Sequence, residues 1–138
     1  MLNKESLDFS FSGLKTAVLY HCQGQDMKGE NRVASMSPQE ISDIAASFQK
    51  TVVDTLVKKT LRAVKKVGAK SVLVGGGVAA NTALREGMKE MCDKNKLNLL
   101  IAPKSLCTDN AAMVASLAYY YYQAGRFSGL DLEPTATS

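Results

Sequence analysis

The run Val72-Leu73-Val74 halts at Gly75-Gly76-Gly77, and Val78-Ala79-Ala80-Asn81 then leads into a helical pattern. A β-branched stretch that stops at consecutive glycines and resumes as a helix is a strand–turn–helix unit. Glycine lacks Cβ, so the backbone there can take positive φ and come close to a bound group. A turn entering a helix also presents N–H groups and the positive end of the macrodipole, which suits a phosphate or another anion. The spacing is neither the GxGxxG dinucleotide fingerprint nor a Walker A loop, because no Gly-Lys-Ser/Thr follows. On glycine content alone, a tight structural turn and a nucleotide site are both open.

The rest of the chain supplies the partners such a unit needs. Leu7, Phe9 and Phe11 alternate with Asp8, Ser10 and Ser12, which predicts a half-buried strand over 7–11. Ser12 is the expected N-cap of a first helix whose apolar side carries Leu14, Ala17, Val18 and His21. Residues 23–37 are polar and contain Gly24 and Gly29, a loop composition. Ser37-Pro38-Gln39-Glu40 has the capping-box spacing with proline at N1. Apolar residues then recur every three or four positions from Ile41 to Val67, so one helix of about eight turns runs to Gly68, its C′ glycine. A strand at 71–74, a helix at 79–94 with Ala83, Leu84, Met88 and Met91 inward, and a strand at 97–102 ended by Pro103 follow. Both strands read as buried on both faces. A last helix over 109–124 is apolar nearly all round and closes at Gly125.

This alternation predicts an α/β sandwich of parallel strands with right-handed crossovers. Loops 75–81 and 103–110 leave the carboxyl ends of neighbouring strands, the edge at which such sheets bind ligands. The second loop holds Cys107-Thr108-Asp109-Asn110. Asp109 or Thr108 can cap the last helix, and the Asp109 carboxylate can also give one oxygen to a divalent metal beside the phosphates. Cys107, with Lys104 as its one basic neighbour in sequence, reads as a buried, inert thiol.

Composition narrows the classes. With 138 residues, 46% apolar and 22% charged, the chain is of ordinary globular make-up. No apolar run reaches the length of a membrane span, and residues 1–15 carry Lys4, Glu5, Asp8 and Lys15, unlike a signal peptide. Three scattered cysteines read as reduced thiols of a cytoplasmic protein, and with His21 its single histidine this chain alone cannot build a histidine-rich metal cage. The net charge of +4, with Lys58, Lys59, Arg62, Lys65, Lys66 and Lys70 gathered in one region, fits either a solvated face or an acidic partner such as RNA.

Three motifs in order carry a resemblance that runs from about Leu7 to Gly125. They are Asp8-Phe9-Ser10-Phe11-Ser12-Gly13-Leu14-Lys15-Thr16, then Gly75-Gly76-Gly77-Val78-Ala79-Ala80-Asn81 with Leu84-Arg85, and finally Cys107-Thr108-Asp109-Asn110-Ala111-Ala112-Met113. Together they resemble the tRNA N6-adenosine threonylcarbamoyltransferase family, once described as O-sialoglycoprotein endopeptidases. The resemblance implies the actin-like ATPase fold shared with sugar kinases and heat-shock chaperones. It also implies transfer of threonylcarbamoyl from threonylcarbamoyl-adenylate to N6 of adenosine 37 in tRNA, within a complex of partner proteins. By the same resemblance Asn81 binds the adenylate, Gly75, Gly76 and Gly77 line its pocket, and Asp109 is the carboxylate ligand of one metal ion, iron or zinc.

The family's paired HxxxH histidine ligands, its amino-terminal phosphate loop and its acidic ribose ligand have no match here. The chain therefore resembles the carboxyl-terminal portion of a member, with an incomplete ATPase-like domain over 1–125 and a loose tail over 126–138. A non-enzymatic binding or scaffold relative of the same fold is the alternative, and the carboxyl half of a sugar kinase a third reading. Nothing supports the protease label, since no Ser/His/Asp or HExxH arrangement is present. Three expectations follow for the isolated chain: no transferase activity, weak metal binding, and self-association through an open sheet edge. The segment 7–11 is expected to fill a vacant place beside strand 71–74, giving a three-stranded parallel sheet, or else to detach or pair with a second copy.

Overall fold

A computed structural model describes residues 6–23 and 31–133. Helix α1 spans Phe11–Gln23, α2 Pro38–Val67, α3 Thr82–Lys94 and α4 Ala111–Gln123; strands β1 (Ser71–Val74) and β2 (Asn98–Ile101) complete the regular elements. The strands pair in parallel, Ser71 opposite Asn98 through Val74 opposite Ile101, with α3 as the crossover. The architecture is α/β with a two-stranded parallel sheet, as the alternation requires. Parts of the loop 23–37 and of the tail 126–138 lie outside the described residues.

α2 forms where the sequence places it because its ends are fully signalled. The Ser37 side chain accepts from the Glu40 backbone N–H, and the Ser37 backbone N–H donates back to the Glu40 carboxylate at 2.8 Å. At the other end Gly68 sits at φ 66° and its N–H donates to the Val64 carbonyl. Over 30 residues the helix is about 45 Å long. The hydrogen bonds from Ser37 hold the Glu40 carboxyl below the usual carboxylate range. A carboxyl lowered on folding contributes stability above its unfolded pKa, and that contribution disappears as pH falls through the folded value. Ser37→Ala removes the hydroxyl bond but keeps the larger backbone one, so it is expected to raise the Glu40 titration midpoint only part of the way to the ordinary range, as read by carboxyl-carbon NMR. It should also lower stability by about 1 kcal/mol.

The core lies on one face of the sheet. Val72 of β1 packs with Leu84, Met88, Met91 and Cys92 of α3, and Val53, Leu56, Val57, Leu61 and Val64 of α2 close over them. Burial among these groups pushes the Cys92 thiol pKa up. Gly87 lets α2 and α3 meet: a Cβ there would lie 3.2 Å from Val57 Cγ2 and 3.3 Å from Val53 Cγ1.

Around the sheet and α1 the structure departs from the sequence reading. The strands are covered on one face only, since Leu73 is 78% and Leu100 52% exposed. An apolar run with helices expected on both sides finds them on one among the described residues, because α4 is exposed along its whole length and does not cover the second face. The tyrosines of α4 accordingly face solvent, with Arg126 resting over Tyr121. Residues 6–10 form no strand, and the sheet stays two-stranded. A strand needs a ladder partner for its backbone groups, and among the described residues β1 and β2 pair only with each other. The segment instead lies on α2, where the buried Lys59 ammonium donates to the Asp8 carbonyl and sits over the Phe9 ring. Lys59 thus leaves the basic face to its neighbours, and α1 begins at Phe11 rather than behind a Ser12 cap.

Candidate functional site

Because β1 and β2 are parallel, the loops after Val74 and Ile101 leave the same edge of the sheet. Gly76 adopts φ 86°, a conformation that L side chains rarely take, so a glycine is required there. Gly75, Gly76 and Gly77 are all exposed, and a Cβ on any of them would meet open space. The helix does not start at once. A single 3-10 turn, Gly77–Ala80, intervenes, closed by the Ala79 N–H donating to the Gly76 carbonyl at 2.9 Å. α3 begins only at Thr82, three positions beyond the expected start at Ala79, because Asn81 is the better N-cap. The three glycines therefore precede the helix end and do not form it.

Asn81 uses both ends of its amide. Its Oδ1 accepts from the Leu84 N–H at 3.0 Å, and its Nδ2 donates to Gln49 Oε1 of α2, also at 3.0 Å. Between these elements lies a cavity of about 300 Å³. Phe48, Val52, Leu56, Val78 and Leu84 line its apolar walls, with Asn81 and Gln49 as its polar groups. Apolar walls with a few fixed polar groups are the usual make-up of a small-molecule site.

The second loop runs from Pro103 through a short 3-10 turn, Lys104–Leu106, to the buried Cys107. The cap of α4 is Asn110, not Asp109 or Thr108: its Oδ1 accepts from the Met113 N–H at 3.0 Å and its Nδ2 donates to the Thr108 carbonyl. The Asp109 carboxylate is exposed on the loop.

One side chain binds the two loops together, and sequence reasoning assigned it no role. Arg85 Nη1 donates to the Ala79 carbonyl at 2.8 Å and to the Ala102 carbonyl at 3.0 Å, and lies 3.9 Å from Cys107 Sγ. The Cys107 thiol thus has a guanidinium beside it as well as the Lys104 of its own loop. Lys104 itself reaches across to Thr82 Oγ1 at 3.0 Å. The available signal was position: Arg85 stands four residues after the cap, one turn along the same helix face as Asn81.

The family model for tRNA N6-adenosine threonylcarbamoyltransferase matches residues 1–116. The chain belongs to this family. A relative of that name from Clostridium botulinum (strain 657 / Type Ba4) is 48% identical over 130 residues, covering 93% of this chain and 36% of its own length. Another from Clostridium novyi (strain NT) is 46% identical over 132 residues, with 94% and 36% covered. A third, from Staphylococcus haemolyticus (strain JCSC1435), is 44% identical over 131 residues, with 95% and 36% covered. The chain thus spans about 36% of the length of these relatives.

The described residues of this chain do not make a metal site by themselves. No three or more His, Cys, Asp or Glu side chains converge among them, so Asp109 offers at most one ligand. The three cysteines are free thiols. No helix among the described residues is long and apolar enough to cross a membrane.

Proposed function

We propose that this chain carries the adenylate-binding part of a tRNA N6-adenosine threonylcarbamoyltransferase built on an actin-like ATPase fold. The complete enzyme would move threonylcarbamoyl from threonylcarbamoyl-adenylate to N6 of adenosine 37 in tRNA, with AMP leaving, in the cytoplasm and with partner proteins of a modification complex. The observation that carries this reading is the placing of loops 75–81 and 103–110 at one carboxyl edge of a parallel pair, beside a cavity that ends at Asn81. Gly75, Gly76 and Gly77 would let the phosphate approach the backbone, and the apolar cavity would take the flat base. The Asn81 amide would fix the adenylate. Asp109 would give one ligand to an iron or zinc ion whose other ligands come from outside the described residues. Acyl transfer depends on positioning both reactants, so it belongs to the complete enzyme.

The test is titration of the chain with adenosine monophosphate, followed by amide NMR. Asn81→Ser keeps an oxygen for the cap but removes the amide donor, whereas Asn81→Ala removes both. We expect weak binding by the unaltered chain, with shifts at residues 75–85, at the α2 residues 45–56 that wall the cavity, and at the adjoining loop 102–107. In Asn81→Ser the affinity should fall about tenfold, the usual weight of one hydrogen bond in a desolvated site, with the fold retained. Equal binding by Asn81→Ser, or shifts elsewhere, would place the adenylate at another site.

A further inference from the structure

We propose that Arg85 is a positioning residue that makes the glycine loop and the Asp109 loop one mechanical unit, so that a ligand seated on either loop changes the other. Arg85 Nη1 carries two hydrogens, and each has a backbone carbonyl to meet: that of Ala79, at the end of the glycine turn, and that of Ala102, where β2 gives way to the second loop. Ala79 is only 1% exposed, so its carbonyl belongs to a residue largely withdrawn from water. Bonds from a cation to such carbonyls are the strong kind, and leaving a carbonyl there without a donor is costly. The Ala102 carbonyl is shared: the single S–H of Cys107 has it at 3.5 Å and Pro103 O at 3.3 Å as its two acceptors, and Arg85 lies against the same sulfur. A displacement of either loop therefore breaks a bond on the one guanidinium that both use. The coupling is reciprocal by thermodynamic necessity. That the coupled loops carry ligands rests on the proposed function; the coupling itself rests on the geometry.

Hydrogen–deuterium exchange on the full 138-residue chain tests it, with Arg85→Met and Arg85→Lys as variants. Arg85→Met is expected to speed exchange in residues 77–81 and 102–107 together by about tenfold, the factor given by loss of a charge-assisted hydrogen bond. The centre of α2 and the last turn of α3 should keep their rates. Alkylation of Cys107 by iodoacetamide, followed by peptide mass, should accelerate in parallel. Arg85→Lys keeps a cation that can reach a carbonyl and should restore slow exchange in both loops, which a purely space-filling role would not require. Acceleration of one loop alone, of neither, or of α2 and α3 to the same extent would overturn the inference, as would failure of the lysine variant to restore either loop. Adenosine monophosphate separates the two readings. If the unaltered chain shows no binding while the exchange pattern holds, the proposed function falls and the coupling stands. If binding is seen but the loops exchange independently, the coupling falls alone.

Discussion

Leu84→Ala is expected to lower the stability of this chain by about 3 to 4 kcal/mol, the range for a buried leucine whose site cannot collapse. Leu84 is 4% exposed and packs into the cluster of Val72, Met88, Met91 and Cys92. That cluster is nearly all of the fully buried apolar material among the described residues, with Ala79 and Cys107 the remainder. A domain of marginal stability loses a large share of its margin to such a change. Urea denaturation followed by helical circular dichroism measures it, and a loss under 1 kcal/mol would contradict the packing described. The same substitution removes a wall of the cavity beside Asn81, so adenosine monophosphate binding should weaken even under conditions that keep the variant folded.

Gly87→Leu is the second large effect, and it comes from the opposite direction. The added side chain starts 3.2 Å from Val57 and 3.3 Å from Val53 with its first atom alone, and three more carbons follow. Overpacking of this kind costs about 1 to 3 kcal/mol even where neighbours shift. Because α2 and α3 meet at this glycine, the variant should separate them and loosen the Gln49–Asn81 hydrogen bond. Gly87→Ala is the control: its single methyl needs a shift of a few tenths of an ångström, while alanine favours the helix by about 1 kcal/mol. The two variants should therefore differ widely in urea midpoint, and similar midpoints would show that the helix interface has room to spare.

Local signals in the sequence decided most of the fold that surrounds the site. Ser37, Pro38 and Glu40 at one end of α2 and Gly68 at the other act within a few residues, and the helix begins and ends where they say. Gly125, at φ 65° behind α4, works in the same way. The parallel pairing of β1 and β2 followed from two short apolar runs on either side of a helix. What failed was non-local. Alternation at Leu7, Phe9 and Phe11 describes which way side chains point in an extended segment, but a ladder depends on a partner, and period two cannot show whether one exists. The apolar character of β1, β2 and α4 likewise states what would be buried if something covered it. At the site, the left-handed turn at Gly76 was legible because positive φ calls for glycine, whereas the cap at Asn81 was missed and the helix start set at Ala79, with Asn81 singled out by the resemblance alone. Asn110 was missed as a cap because Thr108, Asp109 and Asn110 are all competent, and a one-residue shift of the helix start chooses among them. Arg85 was missed because its partners are main-chain carbonyls, which no sequence pattern marks.

Among the described residues one face and the outer edges of the sheet are uncovered, so self-association is expected to make concentration a structural variable for this chain. Leu73 and Leu100 stand exposed on that face, and each strand has one edge whose backbone groups have no ladder beside them among the described residues. In dilute solution water satisfies those groups. As chains crowd, the same rows offer a template for sheet extension, and any association that forms on the folded state stabilises it by mass action. A melting temperature for such a molecule has meaning only beside the protein concentration at which it was taken, and a series of melts across a dilution range reads out the free edges directly.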